Sequence, residues 1–234
     1  MPATSRLTRL QEYLKPIVYG GYDGIVTTFA IVAGFTGASV GGEGEIGAIA
    51  VLIFGFANLF ADGLSMGLGE FLSGRSRRDL YSAERAAALR QLKSAPEDAT
   101  RRLIAAFMAR GLDARKASAA AEAVSASPEM SADMILAFET GLSDPKGERP
   151  AANGLMTLLS FLAFGSIPLM PYVFGVEAGA AIMSVISTAL ALVALGLLRW
   201  KATGERLVHS VVETVLVGSL CAGVAYAVGH LLGG

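Results

Sequence analysis

Five windows nearly free of charge dominate this chain, and each is long enough to cross a membrane. Ile17–Val40 contains only Asp23, Ile46–Gly69 only Asp62, and Ala151–Val176 and Ala178–Leu198 no charged residue, while Leu207–Gly234 holds Glu213 besides His209 and His230. A spanning helix takes about 20 predominantly apolar residues, because every backbone polar group must be satisfied within its own segment. The expected fold class is therefore an all-α membrane protein with five transmembrane helices. The first window follows basic residues, as a secretory signal would. It outruns the roughly 7 to 15 apolar residues of a signal, carries an Asp and leads into a second span, so it is read as a retained helix.

Composition agrees. The 234 residues are 53% hydrophobic and 17% charged, with a mean hydropathy of +0.54, more apolar than soluble domains. The 19 Lys and Arg nearly cancel the 20 Asp and Glu, leaving a net charge of −1 and no global field for nucleic acid. Cys221 is the only cysteine, which excludes an intrachain disulfide framework, a Cys-rich zinc site and an iron–sulfur cluster. Two histidines do not build a zinc hydrolase by themselves, and no enzyme is expected.

All 19 basic residues fall into three groups: Arg6, Arg9 and Lys15 before span one, 13 between Arg75 and Arg149, and Arg199, Lys201 and Arg206 between spans four and five. The turns at Gly41–Glu45 and Gly175–Glu177 have none. The positive-inside rule then places the N-terminus and the insert after span two in the cytosol and the C-terminus outside. The expected domains are residues 1–74 with spans one and two, 75–150 as a cytosolic helical insert between helices 2 and 3, and 151–234 with spans three to five. Within the insert, Ser76–Leu92 should continue span two until Pro96 stops it, followed by a helix Glu97–Arg110 closed by Gly111. Asp113 should cap a third helix to about Ser125, and Ser131 a fourth ending before Gly141.

Sixteen of the acids lie in the insert, tails or turns, whereas Asp23, Asp62, Glu70 and Glu213 lie in the spans. An ionised side chain there costs about 2.5 to 3.5 kcal/mol on insertion scales. No span holds a Lys or Arg to pair with them, so these four must be protonated, hydrated or neutralised by a cation. Asn58, Asp62, Met66 and Glu70 recur every fourth residue and share one helical face. A thioether among carboxylates suits a transition ion better than Mg²⁺ or Ca²⁺. Gly63, Gly67 and Gly69 beside that stripe, with Gly20, Gly21, Gly24 and Gly34 in span one, should let backbones approach closely. Pro168 and Pro171 should break span three.

The segments YDGIVTTFAIVAGFTGA (Tyr22–Ala38), ADGLSMGLGEFLS (Ala61–Ser73), YSAER (Tyr81–Arg85), FETGL (Phe138–Leu142) and IPLMPY (Ile167–Tyr172) together resemble the vacuolar iron transporter family over nearly the whole chain. The resemblance implies a homodimeric proton antiporter that moves Fe²⁺, often Mn²⁺ as well, out of the cytosol, with no permanently bound cofactor. It places translocation residues at Asp23 and Met66, an acidic position at Glu213, and Asn58 where the family has a Glu; Asp62, one turn on, is read as its replacement. The family's cytosolic metal-binding domain carries ligands at positions falling near Ala88, Gln91, Ala99, Arg102 and Ile135 here, and only Glu139 is kept. A degenerate metal-binding insert follows, serving dimerisation or gating. The compact, Ala-rich chain suggests a bacterial inner membrane. Two other readings compete: an intramembrane aspartyl protease, whose second G-x-G-D half is missing, and a structural or sensory protein recruiting a partner through residues 76–149.

Overall fold

The computed structural model describes residues 6–38, 46–176 and 179–233, and these are helical with no strand among them. Five helices are long and apolar enough to cross a membrane. The chain divides into two compact units, residues 1–71 with 151–234, and residues 72–150. The expected turn at Gly41–Glu45 and residue Glu177 lie outside the described residues, as do the side chains of Arg6 and Arg9.

In the first unit, α1 (Arg6–Ala38) begins well before the expected Ile17 and runs through Pro16. Helix α2 (Ile46–Ser94) is a single helix of 49 residues, so span two and Ser76–Leu92 are continuous, as the apolar and Ala-rich pattern implies. Span three breaks where the prolines stand. Helix α6 (Pro150–Gly165) ends, a 3₁₀ turn covers Ile167–Leu169, and the short α7 (Met170–Val173) completes the segment. The break leaves no carbonyl idle at Pro168, whose oxygen accepts from the buried Ser184 hydroxyl at 2.7 Å. That serine belongs to α8 (Ala180–Thr203), which precedes α9 (Leu207–Gly233).

Glycines set how these helices pack. A Cβ at Gly24 of α1 would collide with the Phe161 carbonyl of α6, and one at Gly67 of α2 would come within 2.9 Å of the Gly154 oxygen of α6. The glycines of spans one and two therefore seat α6 against both helices, an approach only a missing side chain permits. Gly69 plays no such part, since a Cβ there meets nothing within 4 Å. Around these contacts Val32, Val51, Leu59, Phe161 and Leu169 form one buried cluster, and Ile25, Ala191, Leu192 and Leu195 another.

The second unit contains the extension of α2 with α3 (Pro96–Ala109), α4 (Ala114–Ser125) and α5 (Pro128–Ile135). Pro96 both ends α2 and opens α3, where its missing N–H costs nothing. Gly111 takes φ +97° beyond α3, and the Asp113 carboxylate accepts from the Lys116 amide at 2.9 Å, as expected of a cap. The expected Ser131 cap is corrected. Ser127 caps α5 instead, ahead of Pro128, by accepting from the Met130 amide, and Ser131 lies buried inside the helix, donating to the Val124 carbonyl. Both serines precede suitable helical residues, but the proline fixes the first helical position. After Ile135 the helix widens into a π turn, Leu136–Thr140, closed by Gly141 at φ +71°.

Candidate functional site

On α2 the residues Asn58, Asp62, Met66 and Glu70 are all half-buried, flanked on one side by buried Leu59, Gly63 and Gly67 and on the other by exposed Ala57, Ala61 and Ser65. The every-fourth stripe thus runs along the rim of the helix–helix contact rather than into its core. Asn58 is the only side-chain amide in a cleft of about 670 Å³ walled by α1 and α2, with Gly34 and Phe35 opposite. Asp62 stands one turn further along. Half-buried Asp23 on α1 lies within range of the Asp62 charge. Asp23 directly precedes Gly24, so the close contact with α6 fixes the helix face on which it stands. Among the described residues no Lys or Arg forms an ion pair with either aspartate.

Met66 packs beside the cluster of Leu59 and Phe161, so its thioether has an apolar neighbourhood. No three His, Cys, Asp or Glu side chains converge into a metal-holding group among the described residues. Asp23 thus lies within range of the Asp62 charge, and the acids of the spans are not gathered into one group.

Glu213 differs from the two aspartates and corrects the expectation that the span acids lack cationic partners. Its carboxylate accepts from the Arg199 guanidinium at 2.8 Å, and Arg199 also lies 3.5 Å from Glu205. Helix α8 continues past the uncharged window, and the turn at Gly204 brings the two residues face to face.

Glu139 also has a counter-ion. In the second unit Arg102 grips it with two N–H groups, Nε to Oε1 at 2.8 Å and Nη2 to Oε2 at 2.5 Å, while Nη1 donates to Gln91. A forked pair of this kind satisfies both carboxylate oxygens. It holds the Glu139 carboxyl below its usual range, with burial opposing the shift. A cavity beside the pair is lined by Ala88, Gln91, Ala99, Arg102 and Ile135, the positions where the resemblance placed metal ligands. A guanidinium paired with Glu139 now occupies that place, and Asp98 also lines the cavity.

The motifs that carried the resemblance in this unit also have structural work. Tyr81 and Arg85 of YSAER both donate to Asp133, at 2.8 and 2.5 Å. Burial raises the Asp133 carboxyl, but the bonds from Arg85 and Tyr81 outweigh it and hold it below its ordinary value. Phe138 of FETGL meets Phe107 edge-on at 5.7 Å, with the Arg110 guanidinium 3.9 Å above its ring. Sequence reasoning passed over Asp133 and named Arg102 only as a lost ligand position, because neither stands in an apolar run that would make its charge conspicuous.

A family model described as the VIT family matches residues 14–230. The chain belongs to the VIT family. The match takes in all five long helices and the insert. Among curated relatives, vacuolar iron transporter 1 of Oryza sativa subsp. japonica is 29% identical over 216 residues, covering 92% of this chain and 83% of the relative. The vacuolar iron transporter of Toxoplasma gondii (strain ATCC 50861 / VEG) is 30% identical over 231 residues, 94% of this chain and 74% of the relative. Vacuolar iron transporter 1 of Arabidopsis thaliana is 27% identical over 222 residues, 94% and 86% respectively. These VIT relatives are named as transporters, not as enzymes, and membership leaves no room for the protease reading.

Proposed function

We propose that this membrane protein is a divalent transition-metal transporter that carries Fe²⁺, and Mn²⁺ as a second ion, out of the cytosol in exchange for protons, as a homodimer. The observation that carries the reading is that Asp23 and Asp62 are two half-buried carboxylates in spanning helices, with Asp23 within range of the Asp62 charge. Two carboxylates held together in a membrane are stable in two neutral forms, with one divalent cation or with two protons. Exchange between those forms is metal–proton antiport. Asn58 adds an amide oxygen in the adjoining cleft, Met66 a thioether that favours transition ions over Mg²⁺, and Glu70 a further carboxylate on the stripe. The relatives' names support iron as the cargo. The distribution of basic residues supports a cytosolic N-terminus and insert and an outer C-terminus. Composition supports a bacterial inner membrane, although the relatives are named for the vacuole.

The test is flux in proteoliposomes loaded with Fe²⁺ or Mn²⁺ under an imposed pH gradient. Asp23→Asn and Asp62→Asn are each expected to lower flux at least about ten-fold, the effect of losing about 1.4 kcal/mol of stabilisation, and Met66→Ala to narrow the preference for Fe²⁺ over Mg²⁺. Undiminished metal flux in both Asp variants overturns the assignment.

A further inference from the structure

A hydroxyl buried in a spanning helix ordinarily returns to its own backbone, donating to the carbonyl four residues earlier. Thr27, Thr36, Thr157 and Thr214 each do so, at 2.7 to 3.0 Å. Thr28 on α1 and Thr188 on α8 do not. They are 0% and 3% exposed, and neither hydroxyl has a hydrogen-bond partner among the described residues. The carbonyls that would serve them are engaged elsewhere. That of Ser184 already accepts from the Ser187 hydroxyl at 3.1 Å. The Gly24 oxygen is crowded by the Gly165 backbone, where a Cβ would come within 2.8 Å of it. The two hydroxyls also stand at one level of the bundle. Helix α9 runs parallel to α1, since Gly34 packs on Gly229 and Ala38 on Gly233, and α8 runs against α9, since Gly196 packs on Val211 and Leu192 on Gly218. Ile25 of α1 shares a buried cluster with Ala191, Leu192 and Leu195 of α8. Three residues on from Ile25 comes Thr28, and three back from Ala191 comes Thr188. Each therefore lies one turn from that cluster, on the face its helix turns to the other.

We propose that a single buried water molecule bridges Thr28 and Thr188 across the seam between α1 and α8. Each hydroxyl can both donate to a water and accept from it, and a water held in an interior needs at least two such partners. Two neutral hydroxyls carry no charge to offset the desolvation of an ion. The neighbours that cover both side chains leave no approach for a larger molecule. The bridge ties α8 to the stretch of α1 that carries Asp23, which precedes Thr28 by little more than one turn. It needs only the packed bundle and stands apart from the identity of the cargo.

Thermal melting of the full-length protein in detergent gives the test, because valine matches the shape of threonine and lacks only the hydroxyl's polarity. With the water in place, Thr28→Val or Thr188→Val strands the hydroxyl that remains. Each should lower the melting temperature by about 2 to 4 °C, the shift that one buried polar group left unpaired produces in a chain of this length. The double variant strands nothing and should melt close to the wild type. Without a water both hydroxyls are stranded from the start, so each single change raises the melting temperature and the two shifts add. That pattern, or single variants that melt as the wild type does, overturns the proposal. A high-resolution crystal structure of the unaltered protein should show one density peak within hydrogen-bond reach of both hydroxyls, and an empty seam there overturns it as well.

Discussion

Asp23, Asp62 and Glu213 carry the same group, and their neighbours separate them. Asp23 stands within range of the Asp62 charge, whereas Glu213 is held by Arg199. Glu213→Gln should therefore lower flux far less than Asp23→Asn, and the double change with Arg199→Gln should cost no more than the larger single change, because the two residues act on each other. Proteoliposome flux of the three variants checks this. The acids themselves were legible in the sequence, since a charge in an apolar window cannot be missed. The Arg199 pairing was not, because Arg199 stands one residue beyond such a window and its partner lies on the next helix. Glu139 behaves similarly. Arg102→Ala should destabilise the insert by about 1 kcal/mol, a figure kept low by partial exposure of both side chains, and the melting of the insert should not respond to added Fe²⁺ or to chelator. Glu139 and Asp133 titrate below their ordinary values in the fold. Their contribution is complete above the usual carboxylate range and disappears as pH falls through the lowered folded values. Hydrogen exchange in α3–α5, corrected for intrinsic rate, should hold from pH 7 down to about 4 and rise below it.

At the scale of elements, periodicity and breakers carried most of the information. The every-fourth stripe on α2 is real as geometry, and the run of half-buried positions shows why. Its residues border the buried Gly63–Gly67 face without joining it. Gly24→Ala should cost about 1 to 3 kcal/mol, because a methyl there is forced against the α6 backbone. Gly69→Ala, facing open space, should be neutral or slightly stabilising, since alanine is the better helix former. Thermal unfolding of the two variants gives the comparison, and equal losses would mean that α6 is not seated on glycine. Which helix those glycines admit was beyond the sequence, because small residues declare a close approach without naming the partner. The exchange of Ser131 for Ser127 as a cap has a related cause. Cap propensity marks several serines, and the choice falls to the one that precedes Pro128. The π turn at Leu136–Thr140 has no sequence signature of its own, yet it follows Ile135 directly and carries Glu139 toward Arg102.

For the whole molecule, the decisive fact is that no three acidic, histidine or cysteine side chains gather in one chain among the described residues. Asp23 and Asp62 offer a divalent ion two carboxylates, fewer donors than a hard or borderline cation takes when it leaves water. In the proposed homodimer, a two-fold axis beside the α1–α2 cleft would bring a second pair to the same ion, so that the copies share a site instead of each owning one. Exposed Phe60, Leu64 and Leu68 on α2 leave an apolar surface for that approach. Shared and separate sites differ in how they respond to a defective partner. When wild-type and Asp23→Asn chains are mixed in equal amounts and assemble at random, separate sites retain about half the flux, while a shared site works only in pure wild-type dimers, about a quarter of the total. Flux measured across a series of mixing ratios should therefore follow the square of the wild-type fraction. A straight line would return the metal to a single chain and require ligands beyond Asp23, Asp62 and the stripe.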